Sequence, residues 1–304
     1  HGQAYATDYT ADYSASGTHY QGLTRVATFV KQQRQAYVNS FLVDCGDLVQ
    51  GTPLTYYYAF NHPETNDPIM KALRMMDYDM FVPGNHEFNY GMTILQRQLN
   101  YLTSDGTETE SSVAVGCANY LDSTKQGGET TNWSTWNGYA PYQLYDYNGV
   151  TVAVMGIGNP NIPKWDVPAN WEGIYFANVI ETYKHYEQEM TEKADLIVLA
   201  SHSGIDSDAQ SDFIRRLVSE TNSIDLVFSG HEHRNGITQI ANSDGKEIPV
   251  FSLSTKAAVV GQAIVTVDKV TGEYTLTTEN VPMSYRDDTV SYTHLRAHET
   301  SQDL

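Results

Sequence analysis

Met80-Phe81-Val82-Pro83-Gly84-Asn85-His86-Glu87-Phe88-Asn89-Tyr90-Gly91 is the stretch on which the reading of this chain turns. An apolar run leads straight into glycine, an amide, an imidazole and a carboxylate. A short apolar run bounded by turn residues reads as a buried strand. The polar side chains after it then sit at the carboxyl edge of a sheet, where ligands bind in α/β folds. The same arrangement recurs. Val43-Asp44-Cys45-Gly46-Asp47 leads toward Gln50-Gly51-Thr52-Pro53. Residues 196–200 lead into Ser201-His202-Ser203-Gly204, and residues 226–229 into Gly230-His231-Glu232-His233. His1-Gly2 opens the chain.

Between such runs lie helical patterns. Leu23, Val26, Ala27 and Val30 repeat with helical spacing, as do Ile69, Leu73 and Met76, and Ile94, Leu95, Leu99 and Leu102. Residues 179–194 read as a long amphipathic helix, and 213–218 fall in another. Runs at 41–44, 113–117 and 150–157 complete the strand set. Strand and helix alternate, which predicts an α/β core. Residues 236–240, 248–253, 261–268 and 273–278 instead alternate apolar and polar across turn sequences, which predicts antiparallel hairpins and a mixed sheet arrangement. Residues 104–112 and 122–138 read as surface loops. No repeat or linker divides the chain, so a single domain is expected.

The chain has 304 residues, 40% of them hydrophobic, and 37 acidic against 18 basic side chains give a formal charge of −19. That composition suits a globular chain with a substantial core. The acidic balance argues against DNA, RNA or an acidic membrane surface as partner. No window approaches the ~18 apolar residues of a membrane helix. Two cysteines exclude a disulfide scaffold and a Cys₄ zinc site. A phosphate-handling chain this acidic needs bound cations. His1, His86, His202, His231 and His233, with Asp47 and Asn85, offer the imidazole, carboxylate and amide donors that suit Zn, Mn or Fe, not the all-oxygen shells of Ca or Mg. His231 and His233 point the same way in an extended segment and diverge in a turn.

This ordered set resembles the metallophosphoesterase (calcineurin-like) superfamily, whose pattern is Asp-x-His, Gly-Asp, Gly-Asn-His-Glu, His and Gly-His-x-His. The likeness runs from His1 to about Met283. Gly46-Asp47-Leu48-Val49-Gln50-Gly51-Thr52-Pro53 and Gly84-Asn85-His86-Glu87-Phe88 resemble the 5′-nucleotidase family. Asn89-Tyr90-Gly91 resembles its bacterial 2′,3′-cyclic-nucleotide 2′-phosphodiesterase/3′-nucleotidase branch, the 5′-nucleotidases themselves usually carrying Asp where Asn89 stands. The resemblance implies a four-layer α/β/β/α sandwich with two mixed sheets, spanning residues 1–289. It implies two divalent ions (Zn, Mn, Co or Fe). His1 and His233 resemble ligands of the first metal, Asp47 the bridging carboxylate, and Asn85, His202 and His231 ligands of the second. His86 resembles the histidine that contacts the scissile phosphate or leaving group, with Asn89 as its neighbour in the catalytic set and Asn85 beside it at the substrate.

The implied activity is hydrolysis of small nucleotide phosphoesters by in-line displacement between two metals. A 5′-nucleotidase, or a crippled metal- or nucleotide-binding module, stays open as an alternative. The Asp of Asp-x-His would precede His1, so weak binding of the first metal is expected, with Asp8 a remote substitute. Asn89 cannot hold a charge, so His86 must be tuned differently from a His–Asp dyad. Family members are commonly periplasmic, cell-wall-associated or secreted and usually add a carboxyl-terminal domain that clamps the base. Residues 290–304 resemble translated adapter read-through rather than native sequence.

Other residues have blander readings. Arg25 and Lys31 fit a solvated helix face better than an anion site. Tyr56-Tyr57-Tyr58 fits packing better than base stacking. Cys45 reads as a small buried hydrophobe, and a pairing with Cys117 has no support. His19, His62 and His185 read as surface residues.

Overall fold

Two sheets lie face to face in the computed structural model, which describes residues 1–5, 21–205 and 213–283. In chain order the elements are α1 (Leu23–Ala36), β1 (Val43–Asp44), α2 (Pro53–Phe60), α3 (Pro68–Met75), β2 (Met80–Phe81), α4 (Met92–Thr103), β3 (Ala114–Val115), β4 (Tyr120–Asp122), β5 (Tyr142–Asp146) and β6 (Thr151–Ile157). They continue with α5 (Ile162–Trp165), β7 (Ile174–Phe176), α6 (Val179–Lys193), β8 (Leu196–Ser201), α7 (Phe213–Glu220), β9 (Leu226–Ser229), β10 (Gly236–Ala241), β11 (Glu247–Ser252), β12 (Val259–Val267) and β13 (Tyr274–Pro282). Asp8, His19, His294, His298 and the 290–304 tail fall outside the described residues.

The smaller sheet is parallel, in the order β1-β2-β3. The larger runs β10-β11-β9-β8-β6-β5 and is mixed, with antiparallel pairs at both edges and parallel pairs between them. Strand side chains alternate faces, and that alternation builds the layers. Met80 and Val82 point inward with Cys45 to meet Val154, Val198, Ala200 and Phe228 of the larger sheet. Phe81 and Val115 point the other way, into a cluster with Val26 of α1, Leu73 of α3 and Leu95 of α4. Ala153, Met155 and Leu199 face α6 and α7 through Val179, Tyr183 and Leu217. The result is helices, sheet, sheet, helices: an α/β fold of four layers.

Helix starts follow the local chemistry. Thr52 and Asp67 accept backbone amides at the head of α2 and α3, each followed by proline in the first turn, and Asn178 caps α6. The last third follows its hairpin reading: β10–β11 and β12–β13 are both antiparallel pairs, and β11 also runs parallel to β9, which makes the larger sheet mixed. β4 and β7 pair with each other, and no periodicity in their three residues announces them.

One side-chain expectation is overturned. Arg25 is buried, not on a solvated face, and its Nη1 reaches the Met283 carbonyl at 3.5 Å. The helix face that carries it is covered by the chain just beyond β13. Lys31 is exposed. Tyr56 and Tyr57 are exposed, Tyr56 packing edge-on against Tyr90. Cys45 and Cys117 are buried free thiols, and burial pushes both up to about 12. His62 pairs with Glu64, and His185 stacks on Trp133.

Candidate metal centre

Four parallel strands, two from each sheet, deliver the polar residues to one edge. Asp47 lies in the turn after β1, Asn85 and His86 after β2, His202 directly after β8, and His231 and His233 after β9. Asp47, His231 and His233 adopt positive φ of 66°, 76° and 55°. Left-handed backbone at non-glycine residues is costly and concentrates at functional sites. Two glycines let the first two turns touch. A Cβ on Gly46 would lie 2.5 Å from the Gly84 nitrogen, and one on Gly84 would lie 2.3 Å from Asp47 Oδ1.

Asn85 Oδ1 lies 3.1 Å from His202 Nε2 and 3.0 Å from His231 Nδ1. His202 Nε2 lies 3.1 Å from Asp47 Oδ2. The other ring nitrogen of His202 donates to the Cys45 carbonyl, which leaves Nε2 turned toward the donor group. A second group shares Asp47: on that side, donor atoms of His1, Asp47 and His86 lie within 4.8 Å of one another. His233 reaches this side through His1, their Nε2 atoms 3.0 Å apart. All eight sequence-predicted positions are therefore gathered here except in one sense: Asn89 stands behind His86, its Oδ1 2.6 Å from His86 Nδ1. His86, which the resemblance gave no ligand role, stands with His1 and Asp47 rather than apart from them.

The electrostatics fit a cation. Burial works against ionising Asp47, but His202 beside it outweighs that and holds the carboxyl well below the usual range. Burial likewise opposes charge on His202, and the Asp47 carboxylate overrides it and raises the imidazole. Burial, then the neighbouring His202, pushes His231 down to about 4, and burial lowers His233. An ionised Asp47 and the deprotonated imidazoles of His231 and His233 are what a divalent ion needs, and an ion there would take the place of the proton that Asp47 favours on His202. The 3.0–3.1 Å spacings among Asp47, Asn85, His202 and His231 approach the ~3.4 Å edge of a tetrahedron with ~2.1 Å bonds. The donor set fits a borderline divalent metal.

Three residues at the site had no role in the sequence reading. Glu87, 1% exposed, accepts the amides of Asp47, Leu48, Val49 and Gly84 at 2.7, 2.6, 3.1 and 2.6 Å. Its place in the Gly-Asn-His-Glu run was a usable signal. Asp166 accepts from Asn89 Nδ2 at 3.0 Å. Trp165, 46% exposed, stacks on the His231 ring at 5.3 Å. Both lie in a segment with no spacing signal.

The chain resembles known proteins in sequence and in fold. The family model for calcineurin-like phosphoesterases matches residues 15–235. The chain is 32% identical over 242 residues to the trifunctional nucleotide phosphoesterase protein YfkN of Bacillus subtilis, covering 73% of this chain and 15% of that one. It is 31% identical over 233 residues to the 2′,3′-cyclic-nucleotide 2′-phosphodiesterase/3′-nucleotidase of Salmonella typhimurium, covering 73% of this chain and 34% of that one. A crystal structure of calcineurin-like phosphoesterase YfkN from Bacillus subtilis superposes with a TM-score of 0.74 at 26% identity, over 100% of this chain and 95% of that one. The chain thus spans about a third or less of the length of these two curated relatives.

Proposed function

The chain belongs to the calcineurin-like phosphoesterase family, and from that premise we propose that it hydrolyses nucleotide phosphoesters, with 2′,3′-cyclic nucleotides and 3′-nucleotides as substrates. The observation that supports this most is the position of Asp47, whose carboxylate belongs to both donor groups at once. One group between two cation positions must be a carboxylate, since it serves both. In this reading His1, Asp47 and His233 hold one ion, and Asp47, Asn85, His202 and His231 hold the other. What two divalent ions (Zn, Mn, Co or Fe) supply when bound is Lewis acidity toward phosphoryl oxygens and toward water.

The chain's own residues do the rest. Asn85 adds an oxygen without adding charge, which limits negative potential where an anionic substrate must enter. Burial of Asp47, 4% exposed, keeps its orientation fixed. His86 offers one ring nitrogen to the site while Nδ1 is held by Asn89, so that ring is placed to give a proton to the leaving oxygen. The reading takes residues 1–289 as the catalytic domain. It also takes the protein as periplasmic, cell-wall-associated or secreted, as such enzymes commonly are. Among the described residues no helix is long and apolar enough to cross a membrane.

The test is hydrolysis of 2′,3′-cyclic AMP, 3′-AMP and 5′-AMP by the purified chain with Mn²⁺ or Co²⁺, beside Asp47→Ala and His86→Ala. Turnover of the first two, lost in both variants, is the expected result. Faster turnover of 5′-AMP than of the others overturns the substrate assignment. Equal activity in the variants overturns the site.

A further inference from the structure

We propose that Asp166 is a positioning residue for His86, acting through the side-chain amide of Asn89. The proposal rests on the phosphoesterase reading above, in which His86 faces the leaving group. Three side chains form one line. His86 Nδ1 lies 2.6 Å from Asn89 Oδ1, and Asn89 Nδ2 donates to Asp166 Oδ2 at 3.0 Å. Asp166 is itself held. Its Oδ1 accepts from Asn170 Nδ2 at 2.6 Å and from the Val167 amide at 2.8 Å, and its carbonyl accepts from Trp171 Nε1 at 3.3 Å.

The order of donors and acceptors along this line has one solution. A carboxylate only accepts, so the amide of Asn89 must turn its NH₂ to Asp166 and its oxygen to His86. An oxygen there can only accept, so His86 Nδ1 must carry hydrogen. The neutral ring then keeps its lone pair on Nε2, the remaining nitrogen, and the protonated ring keeps a donor there. A carboxylate directly against His86 would fix the same tautomer with a full charge in contact. Here the amide stands between, and the charge of Asp166 sits one side chain away. The sequence shows only that Asn89 is uncharged. The fold shows where the charge has gone, into the loop after α5, 77 positions along the chain.

The experiment moves the charge. Asp166→Asn removes it: the Val167 amide and Asn170 keep the new amide's oxygen at the Oδ1 position, so its NH₂ faces Asn89, which turns over and offers its own NH₂ to His86. Asn89→Asp alone puts two carboxylates against each other. The double variant Asn89→Asp/Asp166→Asn exchanges the two groups, so that His86 meets a carboxylate and that carboxylate meets an amide. Turnover of 2′,3′-cyclic AMP should fall about 10- to 100-fold in kcat in each single variant with KM within about threefold. The exchanged variant should recover to within about threefold of the parent. In the metal-free chain, ¹⁵N imidazole shifts should show His86 with hydrogen on Nδ1 in the parent and in the exchanged variant, and moved toward Nε2 in Asp166→Asn. Unchanged kcat and unchanged tautomer in Asp166→Asn overturn the proposal, as does an exchanged variant no better than the worse single one. If the parent hydrolyses none of the nucleotides, the functional reading fails. The tautomer of His86 in metal-free protein then still decides whether Asp166 orders the line.

Discussion

The carboxylate of Glu87 accepts the backbone amide of Asp47 at 2.7 Å, across two turns that come from different strands. The same oxygen takes the Gly84 amide, and its partner oxygen takes Leu48 and Val49. A side chain that touches no candidate ligand atom therefore sets the path of the backbone that presents Asp47. Burial, and then the charge of Asp47, raise the Glu87 carboxyl, while the backbone amides it accepts oppose that rise. The acceptor is worth keeping because it answers four backbone amides at once.

Removing it has a defined consequence. Glu87→Gln turns an NH₂ against two backbone N–H groups whichever way the amide lies, and Glu87→Ala leaves all four unanswered. Each buried donor left unmade costs about 1–3 kcal/mol. The alanine variant should lose about 4 kcal/mol or more of stability, and the glutamine variant about half of that. Binding of Mn²⁺ should weaken about 10- to 100-fold in Glu87→Gln, as for other partners that orient a ligand. Urea denaturation and calorimetric titration measure the two effects. A Glu87→Gln chain with parental Mn²⁺ affinity would show that Asp47 is positioned without it.

Gly84 tests the same turn from the other side. A methyl group there meets Asp47 Oδ1 at 2.3 Å and His202 Cε1 at 2.6 Å, so one of the two must move. A displacement of that size costs about 100-fold in a reacting geometry. Gly84→Ala should therefore lose about 100-fold or more in kcat/KM and at least about tenfold in metal affinity. Gly128, whose nearest contact to such a methyl is 3.8 Å away, is the control and should change neither. Parental activity in Gly84→Ala would place the donors elsewhere.

Much of this was legible in the sequence, for a physical reason. Apolar runs at 80–83, 196–200 and 226–229 end in donors because buried parallel strands must be apolar on both faces, and the polar break marks the sheet edge. What was not legible shares one property: it depends on partners far apart in the chain. Nothing local tells that β11 turns back to run beside β9, or that β4 meets β7. Nothing local shows that Arg25 goes under the end of β13. Asp166 reads as one more loop acid until the fold sets it beside Asn89. Short strands made this worse. β4 and β7 have three residues each, too few for a period to show, whereas the apolar runs around β1, β2 and β3 announced those strands.

Arg74 belongs to the same class and makes its own prediction. It is 1% exposed, its Nε 3.1 Å from Glu110 Oε2. Its guanidinium donates to the Ser104 carbonyl and hydroxyl at 3.0 and 2.6 Å and to the Asp105 carbonyl at 2.8 Å. One buried cation thus ties the 104–112 loop to α3. Arg74→Met keeps the apolar stem and strands a carboxylate and several carbonyls, and should cost about 3–5 kcal/mol. Glu110→Gln keeps an acceptor for Nε and should cost less, about 1.5–3 kcal/mol. Denaturant midpoints give the order. A reversed order would mean that the carboxylate, not the carbonyl set, anchors the loop.

Asp67 links the fold to pH. Its Oδ1 accepts the Ile69 and Met70 amides at the start of α3, and Gln98 Nε2 donates to its Oδ2 at 3.3 Å. Burial pushes the carboxyl from 3.8 up to about 6, with the amides and the charge of Arg97 pulling the other way. A carboxyl raised on folding binds its proton more tightly in the native chain. Its stabilising effect is complete below about pH 4 and is lost as pH rises through about 6. The loss amounts to ~3 kcal/mol. Asp67→Asn keeps the helix cap and cannot ionise. In metal-free protein the two chains should unfold at similar urea concentrations at about pH 4. At about pH 8 the Asp67→Asn chain should be the more stable by about 2–3 kcal/mol. Other titrating groups shift both curves together, so the difference between them isolates Asp67. The buried Gln98 Oε1 has no hydrogen-bond partner among the described residues, and a protonated Asp67 supplies one once that amide turns over. Curves that stay parallel across that pH range would mean that Asp67 is ionised throughout and that its amide partners outweigh its burial.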